Sequence, residues 1–147
     1  MRNSECGVRN AKPSEAASEP DLKKRTKAFA LRVLKLVDAI PKTTAGRALA
    51  SQVVRSGTSV AANYRAACRA KSPADFISKM GTVEEETDET LFWLELLQES
   101  ELISAAKLTA IKQEANELIA ITVASIKTAR RNRAPDSAFR TPHSALR

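Results

Sequence analysis

The 147-residue chain is poor in the residue types that carry most enzyme and metal chemistry: it has one histidine, His143, and two cysteines, Cys6 and Cys68. That leaves no zinc site built from Cys and His, no Cys–His nucleophile couple, and none of the Glu-x-x-His pairs a di-iron bundle needs. There is also no glycine-rich phosphate loop and no nucleophile elbow. Neither a catalytic residue nor a metal or cofactor is therefore expected, and the chain is read as a non-enzyme. Aromatic residues make up only 4% and glycines number four, which disfavours sheet architectures that rely on aromatic cores and frequent turns. The two cysteines sit in unlike surroundings, one in a polar stretch and one among small residues. They make no disulfide framework and point to reduced thiols and a cytoplasmic protein. Residues 1–20 lack the apolar run of a signal peptide, and no stretch approaches the ~20 apolar residues of a membrane span, so no membrane partner is expected.

Hydrophobic residues reach 43%, enough for one core built from Ala, Leu, Ile and Val. Their spacing predicts four helices. Phe29, Val33, Leu36, Val37 and Ile40 recur at helical intervals, with Leu31 and Leu34 widening the stripe, and Pro41 ends this first helix. Thr43 or Thr44 caps a second helix that continues to about Ala70, with Gly57 in its interior; closer helix–helix contact is the expected compensation for that glycine. Ser72-Pro73-Ala74-Asp75 combines a capping serine, a proline at the first helical position and a capping-box carboxylate, and so starts a third helix. That helix carries two apolar faces, one through Phe76, Met80, Val83, Thr87, Leu91 and Leu94, the other through Phe92, Trp93, Leu96 and Leu97. The second face is covered either by the fourth helix or by another subunit. After a short connection at 101–104, a heptad-like stripe from Leu108 to Ala129 forms the fourth helix, closing near Arg130. Short connections imply antiparallel neighbours, hence an all-α, up-down-up-down four-helix bundle over residues 21–131. Residues 1–20 read as a disordered leader and 132–147 as a disordered basic tail.

The net charge of +7 is unevenly placed. Residues 21–40 carry six basic and two acidic side chains, 41–71 six basic and no acidic ones, and 72–101 nine acidic against one basic. Pairing between the second and third helices is one consequence. Within it, Glu86 is expected to turn inward and bond Arg55 or Asn63, since a buried carboxylate without a partner is costly. The other consequence is a basic surface left over on the first helix and the tail. Lys23, Lys24, Arg25, Lys27, Arg130, Arg131 and Arg133 are candidate phosphate contacts, with Arg65 and Arg69 of the second helix next in line. Scarce aromatics speak against base stacking.

Arg55-Ser56-Gly57-Thr58-Ser59-Val60, Ala62-Asn63-Tyr64-Arg65-Ala66, Lys71-Ser72 with Asp75-Phe76, and the Glu-rich run into Leu91-Phe92-Trp93-Leu94-Glu95-Leu96-Leu97 form a pattern. It resembles the four-helix-bundle proteins encoded in intervening sequences of bacterial large-subunit ribosomal RNA genes. The resemblance covers roughly residues 21–131 and implies a ring-like homopentamer of antiparallel four-helix subunits. A relative of that family, the accessory variability determinant of diversity-generating retroelements, is a basic pentamer that binds nucleic acid and a reverse transcriptase. By that resemblance the partners to expect are further copies of the chain, RNA or DNA, and a reverse transcriptase or another protein. The two functions to separate are a nucleic-acid-binding or ribonucleoprotein accessory module and a protein-interaction scaffold with no nucleic-acid role.

Overall fold

The computed structural model describes residues 21–133, and these form four helices: α1 (Leu22–Val37), α2 (Thr44–Ala67), α3 (Pro73–Glu99) and α4 (Ala105–Arg133). The expected leader at 1–20 and the tail beyond residue 133 lie outside the described residues. Each of the first three helices begins at a side-chain cap. Asp21 accepts from the Lys23 N–H at 3.0 Å, Thr43 from Gly46 at 3.0 Å and Ser72 from Asp75 at 3.1 Å. The Asp75 carboxylate in turn accepts from the Lys71 N–H and binds the Lys79 ammonium at 2.6 Å. Lys79 first and the Lys71 N–H second hold Asp75 below its ordinary pKa.

The helices run up-down-up-down. Ser56 meets Thr90 across α2 and α3, the Gln98 amide meets Lys112 across α3 and α4, and Arg25 meets Glu114 across α1 and α4. Phe29, Val33, Val53, Val60, Met80, Val83, Leu94, Leu97, Leu108 and Leu118 fill one shared core. Gly57 sits where α1 crosses α2, and a Cβ there would lie 2.8 Å from a Val33 methyl. The missing side chain is what lets the two helices close, as expected for an interior glycine.

Three sequence expectations change. The first helix stops at Val37 rather than at Pro41. Ala39 and Ile40 donate back to Leu36 and Val37 in tight turns that carry Ile40 out of the helix and into the core. Leu31 and Leu34 do not widen the buried stripe: they face solvent at 58% and 42% exposure, because α1 buries only the side carrying Thr26, Phe29, Ala30 and Val33. At the other end of the bundle α4 continues to Arg133, past Arg130. Cys68 stands at the C-terminus of α2, and Cys6 lies outside the described residues. No helix among the described residues is long and apolar enough to cross a membrane.

Candidate functional site

Up-down-up-down order brings the start of α1, the end of α2, the start of α3 and the end of α4 to one end of the bundle. Basic residues stand at three of these four helix ends. Lys23 and Lys24 occupy the first turn of α1; Arg65, Arg69 and Lys71 stand at the end of α2 and in the turn after it; Arg130, Arg131 and Arg133 close α4. All eight are exposed, and none makes an ion pair with a described acidic residue. The nearest acidic residues in sequence, Asp21 and Asp75, are engaged as helix caps. Cations at the C-termini of α2 and α4 also suit the negative ends of those helix dipoles.

Of the seven candidate phosphate contacts, Arg130, Arg131 and Arg133 close α4 at this end, whereas Lys23 and Lys24 stand beside Arg25, which binds Glu114 and Glu117 in the first half of α4, about 20 Å of helix before Arg130. Lys27 lies a turn further along α1, exposed. Arg25 is in a different situation. Its Nε and a terminal nitrogen donate to both oxygens of Glu114, at 2.7 and 3.0 Å, and the same guanidinium also reaches Glu117. Arg25 therefore ties α1 to α4 and is already neutralised. Its hydrogen bonds hold Glu114 below the ordinary carboxylate pKa of 4.5. Reasoning from the sequence missed Lys71 and ranked Arg65 and Arg69 second. Helix order supplies the signal, because the end of the second helix must meet the start of the first.

The polar network of Arg55, Asn63 and Glu86 is only partly assembled. Arg55 sits 3.5 Å from Glu86 and also bonds Glu89 and Gln52. The distance to Glu86 suffices for an ion pair but leaves its Oε2, which is shielded from solvent, without a hydrogen-bond donor. Asn63 does not join: its amide donates to the Ser59 carbonyl one turn back, at 2.8 Å. Neutralisation of α3 by α2 thus runs through one arginine rather than through facing charged surfaces. Glu84, Glu85 and Asp88 instead line a groove between α3 and α4, with Lys127 and Arg130 on its opposite side. Among the described residues, no three His, Cys, Asp or Glu side chains converge as metal ligands.

Fold and charge together define a basic, antiparallel four-helix bundle. The chain belongs to the 23S rRNA-intervening sequence protein family, whose family model matches residues 19–124. A solved structure of a protein of unknown function from the S23 ribosomal protein family of Bacteroides thetaiotaomicron is 34% identical to it, with a TM-score of 0.68. The match covers 72% of this chain and 98% of that one. A search of curated proteins found no match.

Proposed function

We propose that this protein is a non-enzymatic, oligomeric accessory module that holds RNA or DNA by its phosphates at the basic end of the bundle. One observation carries the reading. Six exposed basic residues, Arg65, Arg69, Lys71, Arg130, Arg131 and Arg133, stand where α2 and α4 end beside the start of α3, and none of them makes an ion pair with a described acidic residue. Charges on rigid helices can track a phosphate backbone but carry no base readout. Phe29 and Tyr64 are buried in this half and Phe76 is partly buried against the core, so none is an open stacking platform.

The test compares equal charge removed from opposite ends. Arg130→Gln, Arg131→Gln and Arg133→Gln together should weaken binding to RNA and duplex DNA at low salt by at least tenfold. Lys42→Gln, Arg47→Gln and Lys107→Gln, at the far end, should leave it within about twofold. Equal losses from both triple variants would show a diffuse charge effect with no site. No binding by the wild type at low salt would leave the scaffold reading, which the exposed Leu31, Leu34 and Phe92 favour.

A further inference from the structure

The groove between α3 and α4 has two walls of opposite charge. Glu84, Glu85 and Asp88 stand on the α3 side, Lys127 and Arg130 on the α4 side, and none of the five makes an ion pair with a described residue. Ile77, Ile119 and Val123 form a half-buried apolar floor between them. Gly81 also lines the groove, and a Cβ there would meet nothing within 4 Å, in contrast to Gly57, where α1 is in contact. A glycine inside a helix is less stable than alanine. At Gly57 the approach of α1 accounts for it; at Gly81 no described residue does.

The sequence that follows Arg133 matches this groove in reach, order and charge. Arg130 lies three residues before the end of α4, about 4.5 Å of helix, so the helix ends beside the mouth of the groove. Ala134-Pro135 comes next, and the residue before a proline is disfavoured in a helix. Six residues of extended chain span about 20 Å, enough to bring Phe139 from Arg133 back to Gly81 on the facing helix. We infer that residues 134–140 fold back into the α3–α4 groove of their own chain, with Phe139 over Gly81, Asp136 toward Lys127 and Arg130, and Arg140 toward Glu84, Glu85 and Asp88. A chain entering from the end of α4 meets the two basic residues before the acidic ones, and in the sequence the aspartate precedes the arginine in the same order. Burial of an aromatic ring on the apolar floor supplies attraction, and the two charged walls supply register. The contact is separate from phosphate binding, and it neutralises carboxylates that would otherwise repel a phosphate nearby.

Chymotrypsin, which cuts after phenylalanine, tests this in the full chain, because a docked Phe139 is cut only when it leaves the groove. Cleavage after Phe139, followed by mass spectrometry, should be about tenfold slower in the wild type than in a free peptide of residues 134–147. Each rate is taken relative to the peptide of the same sequence. Glu84→Lys with Asp88→Lys, and separately Gly81→Phe, should bring cleavage close to the peptide's rate; neither variant alters the segment itself, and melting curves check that both fold. Arg140→Glu alone should also speed cleavage, whereas Arg140→Glu added to the two lysine substitutions should slow it again. Wild-type cleavage as fast as the peptide's overturns the contact, as does slow cleavage that survives the charge reversal or Gly81→Phe. Failure of Arg140→Glu to restore protection overturns the pairing of Arg140 with the acidic wall. Protection that grows with protein concentration overturns the fold-back within one chain and places the segment on another copy.

Discussion

Arg25 and Glu86 show how burial and hydrogen bonding, rather than charge, decide what a residue does. Both side chains of the Arg25–Glu114 pair are more than three-quarters buried, and the contact is bidentate, so Arg25→Ala should cost about 1–3 kcal/mol by loosening α1 from α4. The pair also sets a pH dependence. Glu114 is depressed in the folded state, so its contribution is fully present above its ordinary value of 4.5 and is lost as pH falls through the folded value. Melting temperature followed from neutral pH downward should fall in that acidic window, and fall less steeply in Arg25→Ala. An identical pH profile in the variant would show that the pair contributes nothing. Glu86 is the opposite case. Its shielded oxygen lacks a donor and its arginine is half exposed, so Glu86→Ala should change stability by less than about 1 kcal/mol. A loss of about 3 kcal/mol would mean that Arg55 depends on Glu86 despite its second partner, Glu89.

The helix ends carry their own test. The end of α3 closes with Leu102 donating to Leu97 at 3.1 Å and Glu101 donating to Gln98 at 3.0 Å, the paired bonds of a left-handed C-terminal cap. Glu101 takes φ = 60° there, where glycine is at ease and a side chain is not. Glu101→Gly should therefore stabilise the protein by about 0.5–1 kcal/mol, and an unchanged or lower melting temperature would contradict this reading of the cap. Elements of this kind were legible in the sequence because they are local: Ser72-Pro73-Ala74-Asp75 names its own helix start, and the stripe through Met80, Val83 and Thr87 names its buried side. What was not legible depends on how helices cross. Leu31 and Leu34 have the spacing of core residues but face solvent, since α1 packs mainly on α2 and touches α4 only lightly. Nothing near Arg25 in sequence announces Glu114, 89 residues away.

At the scale of the molecule, an excess of basic over acidic residues becomes a polarity. Up-down-up-down order alone converts charge scattered along the chain into a cluster, and that step could have been taken from the sequence once the helices were placed. Arg69 and Arg131 are remote in sequence and belong to the same end. The proposed function turns that polarity into phosphate binding, and the dependence of binding on salt tests it most directly. For duplex DNA the slope of log K against log salt is about −0.9 per phosphate contact. The wild type should show a steep negative slope, and Arg130→Gln, Arg131→Gln and Arg133→Gln together should flatten it by about 0.9 for each contact removed. A flat slope in the wild type, or one that the triple variant leaves unchanged, would contradict binding at this end of the bundle.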